Sequence, residues 1–463
     1  MSRQHTVLWE LFRPSSVAVV GASRHPGKVG HSILRNLVAS YKGKIYPVNP
    51  LAKQILGLKC YPRLTAIPDS VDMAVIAIPA PKVPDVVCDA CKKGVKVSVI
   101  ISSGFSEVGN HELERRVVET AKSCGMRIVG PNVFGVIYTP IGLNATFGPP
   151  EVPRGSVAVI TQSGALGLAL LYRFMGVKGL GFSAMLSLGN MSDIDFADAI
   201  WVLGEDEHTR VIALYVEGLR PLRGRAFIEA ARHAAKKKPI VAIKAGRSKR
   251  GSKAVASHTG SMAGDVSIYQ AAFRKAGVFM VRSLSGLLDA SLLFSLQPIP
   301  PQPWRGVMIV TNGGGLGVLA VDAMEELGVT LAKLSPETRS KIRSMLPWFA
   351  STLNPIDTTA SITTDTYLEV LHAAVDAPDA SAVLAMFAEL PNMKGEELAK
   401  GMEDILRHAR ERGKPLLLVY VGKHEIFYQF AAEGIPVYES PYEAAEALHA
   451  LEWYVRWRAK HAQ

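Results

Sequence analysis

Three times the chain runs through a short stretch of consecutive apolar, mostly β-branched residues, breaks at Gly or Ser, and continues with helical apolar spacing. The three openings are VAVVGAS from Val17, VAVITQSGALG from Val157 and VMIVTNGGGLG from Val307. A run that is apolar at every position, rather than at every second one, is what a strand buried on both faces shows. Further runs of this kind cover Met73 to Ile78, Val97 to Ile101, Val211 to Tyr215, Ile240 to Ile243, Ala382 to Phe387 and Leu416 to Val421. Strands alternating with helix-length periodic segments predict doubly wound α/β architecture with parallel sheets. Two stretches cannot continue a helix or a central strand: FGPPEVPR at 147–154, and QPIPPQP at 297–303, which reads as a stiff extended linker. They predict three α/β domains, at 1–150, 151–298 and 303–463.

Composition narrows the class. Apolar residues make up 48% and charged residues 20% of 463 positions, the profile of a folded globular protein. Lys and Arg exceed Asp and Glu by 52 − 41 = 11, which favours polyanionic partners. Basic runs are not interleaved with aromatics, so nucleic acid is not expected and a phosphate-rich cofactor fits better. Cys60, Cys88, Cys91 and Cys124 are too dispersed for a disulfide framework and suggest a reducing cytoplasm. Cys88 and Cys91 lack a second ligand pair for zinc and read as two core positions on one helical face; no metal site is predicted. The N-terminal stretch has no apolar signal core. The most apolar segment, Gly164 to Gly189, is interrupted by Arg173 and Lys178, so no membrane span is predicted.

The candidate chemistry sits where these strands end. In VAVVGASRHPGKVG, Gly21 lets backbone approach a ligand, while Ser23, Lys28, Val29 and Gly30 lead into a helix expected to start near His31. Only one glycine of the G-x-G-x-x-G fingerprint is present, so a plain NAD site does not follow. The later strand ends supply Asn49, Pro79, Ser102, Ser103, Gly104 and Asn132, which describe one crevice along a sheet edge. In TQSGALG, Gln162, Ser163 and Gly164 stand where a strand hands over to a helix, so free N–H groups and the positive helix end face an anion. Glu217 ends the strand VIALYV, where a carboxylate is placed to orient an imidazole. The imidazole it is expected to orient is His258, within KAGRSKRGSKAVASHTGSMAGD at 244–265, a segment poor in large apolar residues that reads as a mobile loop.

These motifs carry a resemblance. ASHTGSMAGD resembles the phosphohistidine loop of NDP-forming acyl-CoA synthetases (acetate-CoA ligases, ADP-forming), relatives of succinyl-CoA synthetase. VAVVGASRHPGKVG is similar to the family's CoA-binding opening, GPNVFGV to its GPN turn, VAVITQSGALG to its phosphate-binding helix start, and YVEGLR to the strand-end Glu that steadies the histidine. VTNGGGLGVLAVDAMEELG and NPIDTTA resemble the CoA-ligase domain. The resemblance spans essentially the whole chain. It implies a Rossmann-like CoA-binding first domain and flavodoxin-like second and third domains. It implies conversion of acyl-CoA, phosphate and ADP to carboxylic acid, CoA and ATP through acyl phosphate and phosphorylated His258. It implies that coenzyme A or acetyl-CoA, phosphate and a small carboxylic acid bind this chain, and that ADP or ATP with Mg²⁺ binds the partner. Val133 stands where succinyl-CoA synthetases carry a cysteine, against a preference for succinate. No ATP-grasp or P-loop pattern is found in the sequence, so the resemblance implies a separate ATP-grasp β subunit in an α2β2 assembly. A CoA-responsive regulatory protein without turnover and a protein acyltransferase are the alternative readings.

Overall fold

A computed structural model describes residues 3–177, 179–259 and 265–461; the side chains of residues 3–6, 254 and 256–259 lie outside that description. The chain forms two compact units, Met1–Gly176 with Gly181–Met280, and Val177–Leu180 with Val281–Gln463.

The first unit contains two sheets. After helix α1 (Arg3–Phe12) come β1 (Ser16–Val20), α2 (Val29–Ser40), β2 (Lys44–Val48), a small ribbon of β3 (Gln54–Ile55) and β4 (Leu58–Lys59), and β5 (Met73–Ile76). Helix α3 (Val83–Lys93), β6 (Val97–Ile100), α4 (His111–Ser123) and β7 (Arg127–Val129) complete that sheet. Its five strands are parallel in the order β2-β1-β5-β6-β7. The order reverses between β1 and β5, and crevices outside the carboxyl ends of such strands hold ligands. The central strands are fully buried, which is why their sequences are apolar at every position.

The second sheet has seven strands in the order β14-β13-β12-β10-β11-β8-β9. It uses β8 (Gly135–Tyr138), β9 (Leu143–Thr146), β10 (Arg154–Thr161), α5 (Gly164–Met175), β11 (Phe182–Ser187), α6 (Phe196–Glu205), β12 (Val211–Val216), α7 (Gly224–Ala235), β13 (Ile240–Lys244), α8 (Lys249–Thr259), α9 (Val266–Ala276) and β14 (Val278–Val281). The Pro-rich stretch at 147–154 therefore joins two strands of one sheet, β9 and β10, since β8 pairs antiparallel with β11 and β9 antiparallel with β8.

The second unit opens with α10 (Leu284–Leu296). It continues through β15 (Val307–Thr311), α11 (Gly314–Leu327), α12 (Pro336–Arg343), β16 (Ile356–Asp357), α13 (Thr364–Asp376), β17 (Ala382–Ala388), α14 (Gly395–Glu411), β18 (Leu416–Val421), α15 (His424–Ala432), β19 (Val437–Tyr438) and α16 (Pro441–His461). The parallel order is β16-β15-β17-β18-β19. Gln297, expected to begin an extended linker, is instead buried: its side chain accepts from the Leu416 amide at 3.0 Å and donates to the Gly434 carbonyl at 3.2 Å.

Three local expectations are corrected. Helix α2 begins at Val29, two residues before His31, with Lys28 as its N-cap residue. The segment 244–265 is helical over Lys249–Thr259, where the Ser248 hydroxyl accepts from the Gly251 amide at 3.0 Å and Val255 is buried. Cys88 is exposed rather than a core position, and Cys91 is disulfide-bonded to Cys124, tying α3 to the end of α4. The i, i+3 spacing placed both thiols near one face, but that face turns toward α4 only at Cys91. Among the described residues, no helix is long and apolar enough to cross a membrane.

Candidate active site

Strand ends of both sheets in the first unit open into one cavity of about 620 Å³. Along the first sheet, glycine is demanded by close approach. A Cβ on Gly21, at φ +88°, would lie 2.2 Å from the Ala77 carbonyl oxygen, and one on Gly30 would lie 2.0 Å from the Gly21 carbonyl oxygen. Helix α2 thus starts tight against the turn that ends β1. Ser23 accepts from the His25 amide at 3.1 Å, and Asn49 donates to the Ala22 carbonyl at 2.8 Å while accepting from the Leu51 amide at 2.8 Å. The Ser102 hydroxyl donates to the Ile78 carbonyl at 2.5 Å, beside Pro79 at the next strand end. Gly104, at φ +108°, donates its amide to Glu107 at 2.5 Å. Asn190 in turn donates to Glu107 at 2.7 Å and to Glu114 at 2.8 Å, so the Ser102–Gly104 loop is held from across the cavity.

The second sheet provides the polar end. Ser163 caps α5, its hydroxyl accepting from the Leu166 amide at 3.2 Å, and the helix begins at Gly164 facing the cavity. Gln162 Oε1 accepts from the amides of Glu217 at 2.6 Å and Gly218 at 2.9 Å, fixing the end of β12. Glu217 is 4% exposed yet lines the cavity. Burial, followed by the Glu217 charge and hydrogen bond, pushes the Tyr215 phenol up to about 12. Behind Glu217 lies Lys244, only 1% exposed, with Nζ donating to the carbonyls of Glu217 at 2.8 Å and Ala245 at 2.5 Å. Its Nζ stands 4.6 Å from the Tyr269 ring centroid, and the Tyr269 hydroxyl accepts from the Leu219 amide at 3.1 Å. Burial pushes the Lys244 ammonium below the usual lysine value, and the Glu217 carboxylate opposes that shift. The strand end carrying Glu217 is therefore fixed from three directions.

Of the residues expected from sequence, the cavity wall brings together Val29, Ser103, Asn132, Gln162, Ser163, Gly164 and Glu217. Gly21, Ser23, Lys28, Gly30, Asn49, Pro79, Ser102 and Gly104 lie on the neighbouring loops of the first sheet's carboxyl edge, outside that wall. His258 falls on α8, but its side chain lies outside the described residues, as do residues 260–264. Asn132 and Met191, with φ of +63° and +51°, hold left-handed backbone at the cavity, the kind of cost folds retain at working sites. Sequence reasoning missed Asn190, Met191, Arg220, Phe134 and Phe147; the last two meet edge-on with centroids 4.9 Å apart at the apolar end. Only Arg220 had a signal, as the cation three residues after the strand-end Glu.

In the second unit, an opening of about 290 Å³ lies at the start of α11 between Gly314 and Asp357. Asn312 closes the β15 turn by exchanging hydrogen bonds with Ala388 at 2.7 and 2.8 Å. His372, Asp376 and His408 form a metal-like trio, but Asp376 is already paired with Arg412 at 2.9 Å and Lys341 at 3.7 Å. Two cations on one carboxylate make this an ion-pair network.

Residues 15–139 match the family model of the CoA binding domain, 154–294 that of the succinyl-CoA ligase like flavodoxin domain, and 307–460 that of the Ligase-CoA domain. The chain is 44% identical to the acetate–CoA ligase [ADP-forming] I subunit alpha of Pyrococcus furiosus, over 98% of this chain and 99% of that one. It belongs to the ADP-forming acetate–CoA ligase family, on the α-subunit side. A longer family member, the acetate–CoA ligase [ADP-forming] of Methanocaldococcus jannaschii, is 39% identical over 96% of this chain but only 63% of its own length. The solved structure of the Candidatus Korarchaeum cryptofilum dinucleotide forming acetyl-coenzyme A synthetase 1, in complex with phosphate and ADP, superposes with a TM-score of 0.94 at 43% identity, covering 98% of each chain. Membership in this family fits the three α/β sheets and the run of strand-end loops.

Proposed function

We propose that this chain is the acyl-CoA-handling α subunit of an ADP-forming acyl-CoA synthetase in the cytoplasm. The observation that carries the reading is the single cavity lined by CoA-side loops (Val29, Ser103, Asn132), the α5 N-terminus at Ser163–Gly164 and the buried Glu217. Phosphate bound at the α5 N-terminus attacks the thioester carbon; a C–O bond forms, the C–S bond breaks, and CoA leaves as thiol after taking a proton. A ring nitrogen of His258 then attacks phosphorus, the bond to the acyl oxygen breaks, and carboxylate departs. Glu217 orients the imidazole, and phosphohistidine passes its phosphoryl group to the terminal phosphate oxygen of ADP. Positioning and charge neutralisation carry such transfers, and a capped helix start beside a fixed carboxylate provides both.

The nucleotide, with Mg²⁺, is assigned to a separate ATP-grasp β subunit in an α2β2 assembly. Support comes from the α-subunit designation of the Pyrococcus relative and from the extra length of the Methanocaldococcus relative. The test mixes this chain with acetyl-CoA, phosphate, ADP and Mg²⁺, with and without the candidate β subunit. ATP should appear only with both, and robust ATP synthesis by this chain alone would refute the division of labour.

A further inference from the structure

We infer that Arg220 is the phosphate-binding cation of the cavity, the residue that sets affinity for inorganic phosphate. Among the described residues lining the cavity, Glu217 is the only anionic side chain and Arg220 the only cationic one. Inorganic phosphate at neutral pH carries between one and two negative charges, and it must sit near a carboxylate that is 4% exposed. In the partly dry interior like charges a few ångströms apart repel appreciably, and the more so the higher the charge on the phosphate. The α5 N-terminus offers about half a positive charge, and Lys244 behind Glu217 commits its donors to the Glu217 and Ala245 carbonyls. Arg220 supplies a full cation in the same cavity.

The guanidinium is also pre-organised. One Arg220 nitrogen donates to the Asp193 carbonyl at 2.6 Å. Asp193 belongs to a turn anchored by Asn190 to the Pro131 carbonyl at 3.0 Å, by Ser192 to Gly130 at 3.0 Å and by Ile194 to Ile128 at 3.0 Å. The Asp193 carboxylate is itself engaged by Arg127 at 2.8 Å, so it does not compete for Arg220. The remaining donors of a planar guanidinium match two oxygens of a phosphate side by side. Arg220 lies three residues beyond Glu217 on the segment clamped by Gln162, so orienting carboxylate and anion-binding cation move as one piece. Because the acyl phosphate keeps the same phosphoryl oxygens, the contact persists until His258 accepts the group.

The inference rests on the proposed function, and its test separates the two. The full chain with its β subunit is given acetyl-CoA and ³²P-labelled phosphate, and protein-bound label is followed over a range of each substrate. Arg220→Gln should raise the KM for phosphate at least tenfold while the KM for acetyl-CoA stays within twofold, and Arg220→Lys should restore part of the loss. An unchanged phosphate KM, or an equal rise for both substrates, overturns the assignment. If wild type takes up no label, the functional reading fails, and calorimetry of phosphate binding to the full chain then decides alone: weaker binding by Arg220→Gln supports the inference, and equal binding overturns it.

Discussion

Replacing Lys244 with Met tests how the site is held together. Methionine keeps the length and apolar contact of the lysine stem while removing the charge and the donors. The buried Glu217 carbonyl then loses a partner at 2.8 Å, at a cost of about 1–3 kcal/mol, whereas the half-buried Ala245 carbonyl regains water in part. Loss of the ammonium from the Tyr269 face adds about 0.5–2 kcal/mol. Relief from burying a charge offsets some of this, leaving a net loss of about 1–4 kcal/mol, read as a lower urea midpoint. The functional effect should be larger than the stability effect, because a strand end displaced by about 1 Å can cost roughly 100-fold in a positioned transfer. Phosphorylation of the chain by acetyl-CoA and phosphate should fall about 10- to 100-fold, with CoA affinity within twofold of wild type. Parallel loss of CoA binding would show general damage, and full phosphorylation activity despite the lower midpoint would refute the positioning argument.

Gly30→Ala should weaken CoA binding at least tenfold by calorimetry, since the new Cβ falls 2.0 Å from the Gly21 carbonyl oxygen and displaces the turn; unchanged affinity would separate that turn from CoA. In the second unit, burial and then the Arg412 charge push the Lys414 ammonium down to about 8, while its Nζ donates to the Ala377 carbonyl at 2.5 Å. A lysine depressed on folding contributes stability that is present above its unfolded value near 10.5 and lost as pH falls through about 8. Wild type should therefore gain urea stability over Lys414→Met between pH 7.5 and pH 9.5, and a flat difference would contradict the burial argument.

Much of the fold was legible because parallel strands buried on both faces write uninterrupted apolar runs. Leu416–Val421 is a strand over the whole expected range, and Ala382–Ala388 and Val97–Ile100 differ from expectation by one residue. Strands β8 and β9 were not legible. They are buried at every position, yet GVIY follows the GPN turn and reads as part of a ligand loop. Their pairing depends on Gly135, at φ +127°, passing the Ala145 carbonyl at a distance no side chain permits. Within the site, Gln162, Ser163, Gly164 and Glu217 were legible because chemistry at a strand end leaves a local pattern of Gly, Ser and carboxylate. Lys244 was not, since it opens a basic stretch that reads as solvated, and its burial is made tolerable by the Tyr269 ring and the Glu217 carbonyl, both distant in sequence, together with the adjacent Ala245 carbonyl. The Cys91–Cys124 bridge escaped for the same reason: pairing across α3 and α4 is a tertiary fact.

The most direct measurement is mass spectrometry under conditions that preserve acid-labile phosphohistidine, after incubating the chain and its β subunit with acetyl-CoA and phosphate. The account predicts one phosphoryl group on His258, none in His258→Ala, and loss of the label when ADP is added, with ATP formed in equal amount. Phosphate on another residue, or undiminished ATP synthesis by His258→Ala, would contradict it.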